Sequence, residues 1–175
     1  MDSNKVNFSQ FPYCSPCYPS WNTKYKCWDY IKKDSQSIQF DYANEDFTTD
    51  APIPVAPGLT ISTVTLTNLK AGSAVSLNGL FLVNNNSATP GSIGVQIYKN
   101  SINSANIIYS AEIEIDGAGS DDLGQPIPVL YVDPIKLYEK KATYFLSVYK
   151  IDETDNLSVI GQATLTATAY GKATY

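Results

Sequence analysis

All three cysteines of this 175-residue chain lie within its first thirty residues. Cys14 and Cys17 form a CxxC pair, and Cys27 follows after a tyrosine- and tryptophan-rich stretch. Two thiolates at the CxxC spacing could ligate zinc, with Cys27 as a third ligand and Asp29 or another chain supplying the fourth. The same residues could instead form a redox pair, remain free thiols, or form disulfides within or between subunits.

The surroundings of the CxxC pair favour cross-linking over redox or metal chemistry. A redox CxxC opens a helix in a βαβ unit, whereas Pro12, Pro16 and Pro19 disfavour a helix before Ser20. Structural zinc normally has four nitrogen or sulfur ligands, and the chain has no histidine. Because the number of cysteines is odd, full oxidation leaves one free or paired with another chain. We therefore expect intersubunit disulfides at the three cysteines, with no metal and no cofactor.

Two acidic groups could also do chemistry, but each has a simpler interpretation. The stretch from Asp116 to Asp122 could surround a calcium ion, yet its spacing is not that of an EF-hand loop, and a solvated hairpin loop is favoured. Glu112 and Glu114 could serve as acid and base, yet they fall on the polar face of an amphipathic strand. The absence of histidine removes Ser/His and Cys/His nucleophile pairs. We therefore expect no enzyme.

The overall composition excludes two classes of partner. A net charge of −5 and the absence of arginine argue against nucleic acid, which needs basic side chains to neutralise phosphates. No run of eighteen apolar residues is present, so no membrane span is expected. The first ten residues contain no apolar h-region, which predicts a chain made in a cytoplasm without a secretory signal.

Residues 1–36, here called the leading segment, are rich in aromatic rings and too few to bury them. Such rings need another surface, and aromatic side chains often dominate interface energetics. We expect that surface to belong to a neighbouring subunit. The candidate anchors are Phe11, Tyr13, Tyr18, Trp21, Tyr25 and Trp28.

The leading segment continues into a short strand and a stiff connector. Alternation over residues 37–42 predicts a half-buried strand whose apolar face carries Ile38, Phe40 and Tyr42. The acidic stretch 44–50 predicts a loop, and the proline-rich stretch 51–58 an extended connector. Residues 1–57 are therefore assigned to an N-terminal connector arm.

Residues 58–175 are dominated by period-2 alternation, which predicts strands. A change of phase between Ile61 and Val64 indicates a β-bulge, Leu80 and Leu82 predict a strand end buried on both faces, and prolines flank a predicted edge strand at 127–131. With the strand of the arm, about eight strands are expected. The predicted fold is all-β, a jelly-roll-like sandwich of two antiparallel sheets with an extended N-terminal arm.

This layout resembles the endospore appendage (Ena-type) subunits of spore-forming bacteria. The resemblance rests on the cysteine-bearing connector, the jelly-roll body and a last strand carrying Gly161 and Tyr170. Leu165 stands where that family has a cysteine, and the family's adjacent connector cysteines are replaced here by CxxC and Cys27. The resemblance implies fibre subunits whose connectors reach into neighbouring subunits and are cross-linked by disulfides.

The resulting hypothesis is a structural subunit of a self-assembling fibre outside the cell or on the spore surface. Its partners would be copies of itself, and an anchoring protein at that surface. The arm would add a strand to a neighbour's edge or fill its groove, and an unclosed head-to-tail contact generates a filament. The alternative is a closed oligomer, such as a trimer resembling C1q/TNF-like jelly rolls, that binds a sugar or a protein receptor.

Overall fold

The computed structural model describes residues 38–118 and 124–171. They form eight strands and one short 3₁₀ helix at Ser104–Asn106. Within these two ranges no helix is long and apolar enough to cross a membrane. The strands are β1 (Gln39–Pro52), β2 (Leu59–Leu69), β3 (Ala74–Asn85), β4 (Gly91–Lys99), β5 (Ile107–Ile115), β6 (Gln125–Pro134), β7 (Glu139–Lys150) and β8 (Leu157–Tyr170).

The strands form two four-stranded antiparallel sheets, which confirms the predicted fold class. Sheet A has the order β1-β8-β3-β6, and sheet B has the order β2-β7-β4-β5. This interleaving of early and late strands is the jelly-roll arrangement of eight strands in two Greek keys. Alternate residues of each strand meet between the sheets, and Leu77, Phe81, Tyr144, Leu146 and Leu165 there are fully buried.

Two local predictions for the sandwich are confirmed. The pairing of β2 with β7 shifts register between Thr60 and Ser62, at the expected bulge, so that Ile61 and Val64 both face the core. The proline-flanked strand is β6, at the edge of sheet A, where a residue without an N–H costs no ladder hydrogen bond.

One prediction for β3 is wrong. Leu80 is 48% exposed on the outer side of sheet A, and Leu82 is only partly buried. The core side of this stretch is supplied by Phe81 and Val83. No second layer of described residues covers the opposite side, so this strand end is buried on one face only.

The first strand differs most from its prediction. β1 runs to Pro52 and pairs with β8 over most of its length, so the loop expected at 44–50 is wrong. Ala43, Phe47 and Ala51 pack against the core, while the acidic residues between them stay exposed. An edge strand tolerates such charges because only one of its faces is buried.

The start of β1 is a strand as predicted, but its faces are reversed. Ile38, Phe40 and Tyr42 point outward with 65%, 58% and 53% exposure, whereas Gln39 and Asp41 point inward. The compact unit that contains the sandwich begins at Gln36. The domain boundary between residues 57 and 58 is therefore corrected, because β1 belongs to sheet A.

Candidate assembly surface

The residues that the sequence singled out for assembly lie outside the described part of the chain. Their disulfides and their aromatic contacts accordingly stay predictions. They are Cys14, Cys17 and Cys27, and the rings of Phe11, Tyr13, Tyr18, Trp21, Tyr25 and Trp28. Within residues 38–118 and 124–171, no group of three or more His, Cys, Asp or Glu side chains could hold a metal ion.

The outer face of sheet A, the side that points away from the core, carries exposed apolar residues along both edge strands. On β1, Phe40 and Tyr42 stack with ring centroids 5.9 Å apart, and we call this pair the β1 rim. On β6, Leu130 and Val132 are 69% and 54% exposed, and we call them the β6 rim. Single exposed apolar residues are common on proteins, but two pairs on the same sheet face make that face a candidate for an interaction surface.

The strand register aligns the two rims with each other. Tyr42 pairs with Thr166, which pairs with Asn78, and Asn78 pairs with Leu130. The neighbouring row runs in the same way from Phe40 to Val132. Because neighbouring strands lie about 4.8 Å apart, each row is about 14 Å long. The rims thus face each other across the two central strands.

Between the rims lies a polar strip, here called the central lane, made of Ser76, Asn78, Thr166 and Thr168. The Thr166 hydroxyl donates to the Asn78 carbonyl oxygen at 3.3 Å. A similar contact follows one row on, from the Thr164 hydroxyl to the Leu80 carbonyl oxygen at 3.5 Å. These side chains are small, so a bound segment could lie along the lane with apolar side chains on both rims.

The outer face of sheet B has a different character. Hydroxyl pairs cross its strands, with Thr65 and Thr143 oxygens 3.0 Å apart and Thr60 and Ser147 oxygens 3.4 Å apart. Glu112 and Glu114 are both exposed on β5, as the solvated-face interpretation requires. Among the described residues of the two outer faces, only those of sheet A therefore include polar residues on the central strands and exposed apolar pairs on both edge strands.

The edge of sheet B nearest β1 is protected by β1 itself. The Thr65 N–H donates to the Asp41 carboxylate at 2.7 Å, and the Thr67 N–H donates to the Gln39 side-chain oxygen at 3.3 Å. These are backbone donors of β2, the edge strand of sheet B. The inward-facing polar residues of β1 thus occupy donors that an added strand would use.

The opposite side of the sandwich is also partly closed. Gln125, at the start of β6, accepts from the Asp116 N–H and donates to the Glu114 carbonyl oxygen, both at 3.1 Å. Further along, the rings of Tyr109 and Tyr131 lie 5.9 Å apart and connect β5 with β6. Pro126, Pro128 and Pro134 remove three donors from β6.

Sequence reasoning missed the reversal of β1, although a signal was present. Residues 38, 40 and 42 form one apolar series, and Ala43, Phe47 and Ala51 form a second series of the opposite parity. A strand has only one core face, so one of the two series had to be exposed. The series at residues 43, 47 and 51 packs against the core, and the series that contains Phe40 and Tyr42 forms the β1 rim.

No protein-family model matches the sequence, and no curated protein matches it. Solved structures with a similar fold include dimeric latent PorU from Porphyromonas gingivalis, at 12% identity over 75% of this chain, with a TM-score of 0.43. The VP2 subviral particle of infectious bursal disease virus shows 13% identity over 77% of this chain, with a TM-score of 0.37. The tripod from the baseplate of bacteriophage Tuc2009 shows 12% identity over 92%, with a TM-score of 0.38.

These similarities concern the fold alone. This chain spans 13% of the PorU chain, 38% of the VP2 chain and 80% of the tripod chain.

Proposed function

We propose that this chain is a structural subunit that polymerises with copies of itself into a fibre outside the cell or on the spore surface. The leading segment of one copy binds the outer face of sheet A of the next. All three cysteines lie in residues 1–36, so an external oxidant such as molecular oxygen would then join the leading segments of different copies through disulfides. The observation that carries the proposal is the pair of apolar rims bordering the central lane.

The composition of the leading segment supports this choice of occupant. It holds eight aromatic rings, of which six are the candidate anchors, and the two rims expose apolar surface that lacks a cover among the described residues. The segment also carries five lysines against three aspartates, whereas residues 37–175 carry seven lysines against fourteen acidic residues. A positive, aromatic segment is thus complementary to a negative sandwich.

Exposed acidic residues lie next to the β1 rim. Glu45, Asp46 and Asp50 follow Tyr42 along β1, and all three are exposed. Lysines of an incoming segment could pair with these carboxylates while its rings contact the rims. Exposed ion pairs of this kind contribute mainly to encounter rate and orientation, so apolar contact with the rims would supply most of the affinity.

Of the two modes of connection that the sequence left open, the described residues favour filling a groove. β1 side chains occupy backbone donors of β2, and prolines remove donors from β6. The central lane needs no free strand edge. A contact from the leading segment of one copy to the outer face of another is head-to-tail, and it forms a filament when its rotation does not close.

The proposal is tested by changing one rim and observing assembly by negative-stain microscopy. Leu130→Ser combined with Val132→Thr should leave discrete particles where the unchanged chain forms fibres. The matched control is Leu137→Ser, which alters a more exposed leucine, at 77%, in the turn between β6 and β7. The control should form fibres, and all chains should have the same thermal unfolding midpoint.

Two results would contradict the proposal. Fibres of unchanged length from the rim variant would show that another surface joins the subunits. Discrete particles of constant size from the unchanged chain would instead support the closed-oligomer alternative. A peptide of residues 1–36 adds a direct test, since it should shorten fibres of the full chain by occupying the outer face.

A further inference from the structure

Four polar side chains meet inside the sandwich, at a site apart from the assembly surface. Lys99 is the last residue of β4, Glu139 is the first residue of β7, and Tyr144 lies further along β7, so these three belong to sheet B. Asp133 reaches them from β6 of sheet A. The cluster therefore spans the interface between the two sheets.

The contacts in this cluster are short and converge on one amine. The Lys99 Nζ lies 2.7 Å from Asp133 Oδ2 and 2.6 Å from Glu139 Oε1. The Tyr144 hydroxyl donates to the same Asp133 oxygen at 2.8 Å. The Tyr144 ring lies beside the amine, with its centroid 5.8 Å from Nζ.

The cluster is largely shielded from water. Only 15% of the Lys99 side chain, 10% of Asp133 and 24% of Glu139 are exposed, and Tyr144 is fully buried. The second carboxylate oxygen of Glu139 is buried and has no hydrogen-bond partner. Leaving a buried charged acceptor unpartnered costs free energy and calls for an explanation beyond a simple ion pair.

The cluster has one positive and two negative side chains, which is an unusual combination of charges for a partly buried site. Burial lowers the pKa of Lys99, but hydrogen bonds and charges from Asp133 and Glu139 outweigh burial and leave this pKa above its usual value. The amine lies within hydrogen-bond distance of both carboxylates. Proton transfer to either carboxylate would leave a neutral amine against a carboxyl group.

We propose that Lys99 and Asp133 become joined by an intramolecular amide bond, with Glu139 as the proton carrier. The Lys99 Nζ attacks the Asp133 Cγ, an N–C bond forms, and one C–O bond of the carboxyl group breaks. The ammonium and the carboxylate together lose one water molecule, and both of its hydrogens come from Nζ. Glu139 passes them to the departing oxygen and is unchanged at the end.

Three features of the geometry favour this reaction. The Lys99 amine already lies 2.7 Å from an oxygen of the Asp133 carboxyl group, which lowers the entropic cost of bringing the two groups together. The Tyr144 hydroxyl donates to the carboxyl oxygen on which negative charge grows as the nitrogen adds. The free oxygen of Glu139 supplies the second site that a carrier needs to receive and release protons. No oxidant, metal or activated co-reactant is needed.

The product removes the buried charges of Lys99 and Asp133, while Glu139 keeps its own charge beside the new amide. A buried ion pair pays for the desolvation of two charges, whereas an amide is neutral. The new bond would tie β4 of sheet B to β6 of sheet A and so lock the two sheets together. Such a lock would suit a subunit that bears load, but it would form within a single chain and does not depend on the proposed assembly.

The test is the intact mass of the full chain, measured after unfolding and complete reduction of cysteines. The expected mass is lower than that of the sequence by one water molecule. Lys99→Arg, which keeps the positive charge but has no nucleophilic amine, should restore the full mass. Lys141→Arg alters a lysine on the solvent side of β7 and should retain the loss. Glu139→Gln should slow or abolish the loss in chains that fold normally by circular dichroism.

Peptide mapping separates this bond from other losses of water, such as cyclisation at the Asp116–Gly117 step. A digest should contain one branched peptide that joins residues 99 and 133. A full sequence mass for the unchanged chain, both fresh and after prolonged incubation of the folded protein, would overturn the proposal. A loss of water that persists in Lys99→Arg would overturn it equally.

Discussion

The Asp41 side chain offers a sharp test of the reversed β1 strand. Replacing Asp41 by alanine removes the acceptor that lies 2.7 Å from the Thr65 N–H. A hydrogen bond to a charged group contributes about 1.5–3 kcal/mol. Because this contact is only partly buried, we expect a loss near the lower limit, about 1.5 kcal/mol, in the free energy of unfolding. Gln39→Ala removes a longer, neutral contact of 3.3 Å and should cost about 0.5–1 kcal/mol.

Urea unfolding measures these losses, and amide hydrogen exchange locates them. Exchange should accelerate at the Thr65 N–H in Asp41→Ala and at the Thr67 N–H in Gln39→Ala. Asp41→Asn is the matched control, since it keeps an acceptor oxygen and should recover about half of the loss. The alanine variants should also aggregate more readily, because they free donors on an edge strand. Unchanged stability and unchanged exchange in Asp41→Ala would refute the inward orientation of this side chain.

Three further predictions concern the chain ends, the core and the cysteines. A chain of residues 37–175 should unfold cooperatively by circular dichroism and form no fibres. A chain of residues 58–175 lacks β1 and should not fold. Folding of this shorter chain would contradict the revised domain boundary. Burial, and then the Asp133 charge, raise the pKa of Tyr144 above its usual value of 10.0, so the folded state retains this proton more tightly. Tyr144 then contributes a loss of stability of about 1.4 kcal/mol per pH unit as pH rises above about 10. Tyr144→Phe should reduce the slope measured in urea unfolding, and the raised pKa values of Tyr98 and Lys99 should leave a remainder. On denaturing gels, assembled protein should run as multimers without reductant and as monomers with it, while elemental analysis should find no stoichiometric zinc; monomers in both lanes would contradict intersubunit disulfides.

The sandwich could be predicted because its core strands repeat a simple pattern. Along β8, Ala163, Leu165 and Ala167 alternate with threonines, and all three are fully buried. The expectation of a jelly-roll-like sandwich followed from the number and spacing of such strands, whereas the strand order within each sheet was not predicted. The residues of β1 do not follow this simple alternation, so their orientation could not be predicted in the same way. An edge strand can bury a few residues and keep the charged ones between them exposed.

The inner polar cluster shows a different limit of sequence reasoning. Lys99 continues the series of Ile93, Val95 and Ile97, and Asp133 continues the inward parity of β6. Each residue is thus in phase with buried positions, which marks it as unusual for a charged side chain. The phase alone does not show that the two meet, since β4 and β6 belong to different sheets and only the packing of those sheets brings the charges together.

The orientation of β1 affects both the outer face of sheet A and the edge of sheet B. Had Ile38, Phe40 and Tyr42 faced the core, sheet A would have lost one rim and β2 would have lost the side chains that occupy its edge donors. The observed orientation instead protects an edge of sheet B with Asp41 while it leaves the aromatic rings of Phe40 and Tyr42 exposed. Protected edges suppress unspecific strand pairing, and an apolar sheet face binds a segment of suitable composition. In the proposed assembly, contact through a face rather than an edge would therefore let the subunit join its own copies while the edge donors of β2 stay occupied.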